Sequence, residues 1–573
     1  MPDGAALPQP SSTAMHRRLS APFIFLLGAA GLVTMVGAAP TTAPPPAPRP
    51  AAPAPPSPEA SLVWTTPSSG VAGSMPLGNG KLGINVWADS TDTVWLLLSH
   101  VDALDENTNL DKLGRIAVRA TSVTGASNTG APQSFWQEMH LPNATVHIDM
   151  PSGVSFDVWV DATTDAVRVA STSASPHKLE ATLEVWRNKT GPQPWCPGAA
   201  GSVSPACPQG FGQGCTTLHP NIELHADIVK RTTDGIFFYH RNLEEWMTEG
   251  WQLDLKTQQM PADLPPPMAN ITFGGFLYGG APASKMKIMG RVSGGGGPMQ
   301  MVSESAQNSH SLSIAGMAGH YHAGGADAFL ADLTAAAKKP ASRSAHSAVW
   351  DEFWLGSDIT ITAAAAPANP AIAAQAARVT LLDRVTRAAM HSMSRGNISA
   401  IHSQAYGIFS AYASPQEDYR IWGPCQWFQN IRLPYYHMLA DGRFENMKSL
   451  FNFYHRVLAV SKARTKEWFG IEGTYFPETM RQSGLMDSGE MGFRCNFTTG
   501  GDTGPIPTNP YIRYHREGGL ELSLLALDWL EHSGDLGYFQ QTLLPQIVLY
   551  VVSHSLSLVR APFAPPGLPP TVP

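Results

Sequence analysis

Residues 412–437 (YASPQEDYRIWGPCQWFQNIRLPYYH) combine the side-chain types that a sugar-binding site needs. Aromatic rings can stack on the apolar face of a sugar, and carboxylates, amides and arginines can hydrogen-bond its hydroxyl groups. The composition therefore predicts a sugar-binding segment, although a packed turn between helices would carry the same residue types. The candidate side chains of this segment are Asp418, Trp422, Gln426, Trp427, Asn430 and Arg432.

A second segment, residues 469–480 (FGIEGTYFPETM), places Glu478 in a loop that is rich in aromatic residues. A carboxyl in apolar surroundings keeps its proton to a higher pH, so Glu478 is the candidate general acid and Asp418 its weaker catalytic partner. Such a pair would suit an inverting glycosidase, whose two carboxyls stand about 6.5–9.5 Å apart. A surface or helix-capping glutamate is the alternative interpretation of Glu478.

A third segment, residues 509–521 (NPYIRYHREGGLE), stands where a helix is predicted to begin. Its arginine and tyrosine side chains could hold the hydroxyl groups of a substrate, and an arginine could also pair with a uronate carboxylate. A polysaccharide lyase therefore stays open as an alternative function. The candidate substrate-binding residues here are Tyr511, Arg513 and His515.

Other kinds of chemistry find little support in the sequence. It contains no P-loop, no G-x-G-x-x-G opening a helix, no G-x-S-x-G and no H-E-x-x-H, so neither a nucleotide cofactor nor a resident metal is expected. His320 and His322 share one strand face, but no third ligand is evident. The net charge of −7, without any basic block, gives no indication of nucleic-acid binding.

The elements that must position these residues change in character along the chain. Short apolar runs such as TVWLLLSH and GIFFYHRN, separated by turn residues, predict a large antiparallel β-sandwich over residues 60–355. After a linker at 356–370, the run AIAAQAARVTLLDRVTRAAMHSMSRG has helical periodicity. Later apolar stripes extend this pattern and predict a helical domain at 371–558.

Both termini carry proline-rich segments. Arg17 and Arg18 precede an apolar stretch that ends in small residues, so residues 1–39 are predicted to be a signal peptide or, through residues 21–39, a membrane anchor. Residues 40–59 form a linker, with ten prolines in PTTAPPPAPRPAAPAPPSP. Six prolines in the last twelve positions indicate that residues 559–573 are a tail left by truncation of the helical domain.

Sequons and cysteines agree with an oxidising, extracellular location. N-x-[ST] occurs at Asn143, Asn188, Asn270, Asn397 and Asn496. Three of the five cysteines lie in the loop WCPGAAGSVSPACPQGFGQGC, where two of them are expected to pair. A secreted or cell-surface glycoprotein is therefore predicted.

Several long strings resemble one superfamily. The opening SMPLGNGKLGINVW, preceded by Trp64, is similar to that of the six-hairpin glycosidases, notably the family 95 α-L-fucosidase-like glycoside hydrolases. The chain is closer to a branch catalogued as a domain of unknown function, with which it shares GSMPLGNG, DYRIWGPCQWFQNIRLPYYHMLADG, KARTKEWFG, FPETM and YIRYHREGGLELS. These strings extend over about residues 60–545.

The resemblance implies a β-sandwich followed by an (α/α)6 barrel, here an incomplete one, and a glycan as substrate. It implies that Asn430 matches the first Asn of the fucosidases' Asn-x-Asn pair, whereas Arg432 stands in place of the second. The expected function is glycosidic-bond hydrolysis, with possible loss of activity because the barrel is incomplete. A non-catalytic carbohydrate-binding or structural cell-surface protein is the alternative from another functional class.

Overall fold

The computed structural model describes most of the chain beyond the N-terminal sixty residues. The predicted leader, the linker at 40–59, the cysteine-rich loop, Trp422, Tyr511, Arg513 and His515 lie outside the described residues. Within the described ranges, no helix combines the length and the apolar character needed to cross a bilayer. The described residues are 61–106, 108–122, 134–192, 223–279, 286–289, 299–322, 324–362, 370–401, 407–410, 417–418, 425–485 and 517–559.

The first half of the chain forms antiparallel strands because its apolar residues alternate with polar ones. In the strand Val154–Val160, for example, Phe156 and Val158 are buried while Asp157 is half-buried, as a period of two requires. The strands are β1 Ser61–Trp64, β2 Met75–Gly78, β3 Leu82–Ala88, β4 Thr93–Leu104, β5 Leu110–Ser122, β6 Trp136–His140, β7 Thr145–Asp149, β8 Val154–Val160, β9 Ala166–Glu184, β10 Gly191–Pro192, β11 Glu223–Leu224, β12 Ile228–Arg231, β13 Gly235–Arg241, β14 Ile271–Tyr278, β15 Met286–Met289, β16 Met299–Ser303, β17 Gln307–His320, β18 Cys425–Trp427 and β19 Thr479–Arg481.

Fifteen of these strands form one antiparallel sheet, in which β9 is the central element. The first half of β9 pairs with β8 and β17, and its second half pairs with β5 and β16. The sheet folds over so that β4 packs against β14 and β17. The predicted large antiparallel β half is thus confirmed, and its strands end at His320.

Helices dominate the rest of the chain. The helix predicted from AIAAQAARVTLLDRVTRAAMHSMSRG is present, and Asp535 caps the turn after the Glu517–Ser533 helix by accepting a hydrogen bond from the Tyr538 N–H. The helices are α1 Glu244–Thr257, α2 Gly325–Lys338, α3 Arg343–Gly356, α4 Pro370–His391, α5 Phe428–Ala440, α6 Phe444–Arg456, α7 Leu458–Phe469, α8 Glu517–Ser533, α9 Leu536–Tyr538 and α10 Leu544–Val559; a π-helical turn, Phe539–Leu543, joins the last two.

One hydrophobic core runs through both halves. Buried side chains of the sheet, such as Leu82 and Leu98, belong to the same cluster as Phe451 of α6 and Trp529 of α8. Helix α2 packs separately against β13, β14 and β17 through Phe329 and Leu333. The sheet and the helices therefore form a continuous packed body, while the partial (α/α)6 ring stays a prediction.

Helices α8 and α10 also expose apolar side chains. Leu524 is 54% exposed and Val548 49% exposed, and their neighbours one turn away are exposed as well. The two helices contact each other and both lie beside the core. The exposed aliphatic residues of this surface, called the α8–α10 face below, are Leu520, Leu524, Leu527, Leu544, Val548, Val551 and Val552.

Candidate functional site

The two aromatic segments singled out from the sequence meet in a short antiparallel ribbon. Strand β18 pairs with β19, with Gln426 opposite Met480 and Trp427 opposite Thr479. The Phe428 N–H extends the ribbon by donating to the carbonyl of Glu478 at 2.9 Å. The two segments therefore meet at the start of helix α5.

Glu478 lies at the end of this ribbon, directly before β19, and is only 3% exposed. Its Oε1 accepts a hydrogen bond from the Gln429 N–H at 2.6 Å, in the first turn of α5. A carboxylate at this position satisfies an N–H group that the helix leaves unpaired, and it complements the helix dipole. Burial, together with the charge of Glu478, raises the pKa of Tyr454 well above its ordinary value.

A polar group joins α5 to α8 next to the ribbon. Arg432 Nε lies 2.7 Å from Glu521 Oε1, and the Tyr436 hydroxyl donates to the same oxygen at 3.1 Å. Arg432 also donates to the carbonyl of Gln429. Burial and the Glu521 carboxylate raise the pKa of Tyr436 to about 12, so Tyr436 keeps its proton at neutral pH.

The aromatic side chains of the segment divide into two groups. Phe428 and Tyr435 are buried, and the Tyr435 hydroxyl hydrogen-bonds Ser449 Oγ at 2.9 Å in the core. Trp427 and Asn430 are half-buried, whereas Gln426 is buried. Of the described rings in this segment, those of Trp427 and Tyr436 retain some exposure and could stack on a sugar.

Asp418 lies among residues of the sheet. Its Oδ1 accepts the Lys112 N–H at 2.7 Å, and its Oδ2 accepts hydrogen bonds from Trp186 Nε1 and from Arg187 Nη1, the latter at 2.9 Å. We call these contacts the Asp418 junction. Next to it, Glu417 pairs with Arg115 at 3.0 Å.

A buried charge cluster lies beneath the junction. Arg187 Nε is 3.0 Å from Asp227 and 3.6 Å from Asp111, and Asp227 also contacts His240, which in turn contacts Glu106 at 3.0 Å. Asp111 is 1% exposed, and neither of its oxygens has a hydrogen-bond partner among the described residues.

The charges in this cluster shift one another's pKa values. Burial, followed by the nearby carboxylates of Asp418 and Asp105, raises the pKa of Asp111 well above its ordinary value. Burial alone would lower the His240 pKa, but Glu106 and Asp227 outweigh it and raise that pKa to about 10. Likewise, the carboxylates of Asp227 and Asp418 outweigh burial at Arg187 and hold its pKa well above the ordinary value. His240 and Arg187 are thus cations at neutral pH.

Sequence reasoning missed this cluster because its members are far apart in the chain. Arg187 and Asp418 are separated by 231 residues, and Arg187 and Lys112 by 75. The string DALDEN, which contains Glu106, marks one corner of the cluster. No local spacing in the sequence indicates the other members of the cluster, because only antiparallel strand pairing brings them together.

The Gly-Asn-Gly turn after β2 packs against the chain just beyond α4. The Gly80 N–H donates to Ser392 O at 3.1 Å, and a Cβ on Gly78 would lie 2.5 Å from that same oxygen. Asn79 Nδ2 donates to Asp161 O and Thr164 O, while its Oδ1 accepts the Leu82 N–H. The glycines therefore allow close backbone approach, and Asn79 has a structural role.

No cluster of three or more His, Cys, Asp or Glu residues suited to a metal ion occurs among the described residues. His320 and His322 stack with ring centroids 5.6 Å apart, but His320 Nδ1 hydrogen-bonds Ala269 O at 3.1 Å. The pair therefore packs as a structural element of the strand end.

The architecture is thus a folded-over antiparallel sheet joined through one core to a helical half. The chain matches a solved structure described as "Putative kojibiose phosphorylase from human microbiome", with a TM-score of 0.50 and 11% sequence identity. The match covers 86% of this chain and 59% of that chain, so this chain spans less than two thirds of the other's length. At this identity the match shows the fold alone.

The family follows from sequence. The model of the N-terminal part of "Domain of unknown function (DUF5703)" matches residues 63–359, which is more than half of the chain, and the chain belongs to this family. No curated protein matches it. The predicted link to a domain of unknown function is confirmed, whereas a link to the glycosidases, and to family 95 among them, stays a prediction.

Proposed function

We propose that this protein acts on a glycan and cleaves a glycosidic bond, with Glu478 as the general acid. The observation that carries the proposal is the β18–β19 ribbon together with the hydrogen bond from the Gln429 N–H to Glu478, in the first turn of the helix that bears Asn430 and Arg432. The fold shared with a protein described as a phosphorylase of a disaccharide supports the same substrate class.

The acceptor of the glycosyl group distinguishes two forms of this reaction. Hydrolysis with inversion needs a second carboxyl to activate water. Inorganic phosphate is itself an anionic nucleophile, so phosphorolysis needs no such base. The three donors that already contact Asp418 support a positioning role for this residue, so it stays the weaker candidate for the second carboxyl.

The finer predictions extend this proposal. Helices α4 to α10 would form part of an (α/α)6 ring, and the predicted leader at 1–39 would direct the protein to the cell surface or the medium. Trp422, Tyr511, Arg513 and His515 would complete the substrate contacts. A crystal structure of the protein with a bound oligosaccharide would test the ring and these contacts together.

A disaccharide screen with and without inorganic phosphate tests the function. The full chain is incubated with kojibiose and other disaccharides, and free sugar and sugar 1-phosphate are quantified. Cleavage that disappears in Glu478→Gln and persists in Glu445→Gln, a solvent-exposed glutamate of α6, is the expected result. Binding on a glycan array without cleavage would overturn the proposal in favour of a carbohydrate-binding protein, and ultraviolet-absorbing unsaturated products would indicate a lyase.

A further inference from the structure

We infer that Arg187 is a positioning residue: it fixes Asp418, which belongs to the predicted sugar-binding segment 412–437, to the sheet. Asp418 then serves as the attachment point of that segment instead of an acid or a base. The inference rests on the proposed function only in assigning this segment to the glycan site. The geometry of the junction itself is independent of any substrate.

The guanidinium of Arg187 engages three partners from three different parts of the chain. Its Nη1 donates to Asp418 at 2.9 Å, its Nη2 to the Lys112 carbonyl at 2.8 Å, and its Nε to Asp227 at 3.0 Å. The planar fork of arginine holds such an arrangement in one geometry, which a lysine cannot do. The position of Asp418 is therefore fixed relative to both β5 and β12.

The neighbouring contacts attach the same stretch of chain to the sheet. Lys112 Nζ, which is buried, donates to Ile408 O at 2.6 Å, and Asn85 Nδ2 donates to Ser410 O at 3.0 Å. Ile408, Ser410 and Asp418 thus contact β3 and β5 through hydrogen bonds with buried residues. Charged hydrogen bonds of this kind are stronger than neutral ones.

Asp418 has little capacity left for proton transfer in this arrangement. Three donors already contact its two oxygens, and its side chain is 20% exposed. A catalytic base needs an oxygen directed at the substrate or at a water molecule. The donors around Asp418 come instead from the sheet, which suits an attachment point.

Hydrogen exchange measured by mass spectrometry tests this role on the full chain without any substrate. In Arg187→Met, the peptides containing residues 407–418 and 425–432 should exchange about tenfold faster, while β6 to β8 should keep their protection. Arg187→Lys should restore part of the protection. The matched control is Arg168→Met, which removes another buried arginine of the sheet that donates to Ser313 and to Lys339 O near α2. It should leave 407–418 unchanged.

Unaltered exchange at 407–418 in Arg187→Met, or equally faster exchange throughout the sheet, would overturn the inference. Should Arg187→Met fail to fold, Asp418→Asn, which keeps the size of the side chain, provides the same comparison. For a glycan cleaved in the screen, Asp418→Asn should raise KM several-fold, with a smaller change in kcat. A fall of kcat by a hundredfold would make Asp418 catalytic. Because exchange requires no cleavage, a failed glycan screen leaves this test intact.

Discussion

The Glu478 carboxylate accepts a hydrogen bond from the Gln429 N–H at 2.6 Å. Glu478 of the second candidate segment therefore caps helix α5, which belongs in part to the first. The capping alternative raised from sequence and the proposed acid thus concern the same carboxyl. The two roles can be separated because glutamine can accept the same hydrogen bond but cannot supply the same proton. Substitution of Glu478 therefore distinguishes a role as general acid from a role as helix cap.

Glu478→Gln should reduce the rate of glycan cleavage by at least about a hundredfold, because a general acid contributes that much or more to the rate. Its thermal stability should stay close to that of the wild type. Glu478→Ala should lose both cleavage and about 1–2 kcal/mol of stability, as expected when a helix cap is removed. Thermal unfolding beside the disaccharide assay provides the measurement. Cleavage retained in Glu478→Gln would leave Glu478 with the capping role only.

Asp111→Asn should stabilise the protein at alkaline pH. The raised pKa of Asp111 means that the folded protein keeps a proton that the unfolded chain releases above the ordinary value of 3.8. Wild-type stability therefore falls as pH rises from that value towards the raised pKa, and the asparagine variant escapes this loss. Urea unfolding at about pH 4, 6 and 8 should show the variant's advantage only at the higher values.

Asp157→Asn is the matched control, and its effect on stability should change with pH in the opposite direction. A hydrogen bond from His147 lowers the pKa of Asp157, so its contribution is present above the ordinary carboxyl pKa and is lost on acidification. This variant should be less stable than the wild type near neutrality and should approach it in acid. Parallel pH dependences of the two variants would contradict the assignment of opposite shifts.

Gly78→Ala should destabilise the protein by about 1–3 kcal/mol, because overpacking forces the backbone to move. Its Cβ would lie 2.5 Å from the Ser392 carbonyl oxygen, and a backbone atom cannot rotate away. Gly356→Ala, at the end of α3, meets no atom within 4 Å and should change stability by less than about 0.5 kcal/mol. Chemical denaturation compares the two, and equal effects would contradict close packing at the turn.

Trp529→Ala should cost about 3–5 kcal/mol, since it leaves a large cavity in the core. Trp529 is fully buried, its Nε1 donates to Phe444 O at 3.0 Å, and its ring meets Phe451 edge-on. Trp529→Phe, which keeps a ring and loses the hydrogen bond, should cost about 1–3 kcal/mol. A loss below that range for the alanine variant, measured by urea unfolding, would place α8 outside the cooperative core.

Secretory expression should place glycans on Asn188 and Asn397, and not on Asn143 or Asn270. The first two side chains are exposed, whereas Asn143 and Asn270 are half-buried. Asn270 Oδ1 also accepts a hydrogen bond from Arg241 at 3.0 Å, which a glycan on this amide would disturb. Glycopeptide mass spectrometry checks this. Failure of the chain to enter the secretory route would contradict the predicted leader.

Local periodicity was sufficient to predict the helices and strands that bury one face. The helical repeat predicted α4 and α6, and period-two alternation predicted strands such as β8, because burial of one face determines each pattern. The antiparallel pairing of 425–427 with 479–481 joins two segments that are far apart in the sequence, so no local period predicts it.

The charge cluster could not be read from the sequence in the same way. Arg187 follows β9 and Asp227 precedes β12, and in the sequence each resembles any surface residue until the long pairing of β9 brings β5 nearby. The contacts of Asp418 were hidden for a related reason, since its donors lie far away in the sequence and a carboxylate amid aromatic residues resembles a catalytic group. Long-range pairing, not local composition, determines such sites.

The aliphatic residues on α8 and α10 have a consequence for how unfolding is observed. Environment-sensitive dyes that fluoresce on apolar surfaces should bind the α8–α10 face of the native protein, giving a bright signal before any melting. Intrinsic emission from the 15 tryptophans, several of them enclosed like Trp350 and Trp529, should report the transition cleanly. Leu524→Glu and Val548→Glu together should quench the dye's native signal and leave the intrinsic emission unchanged.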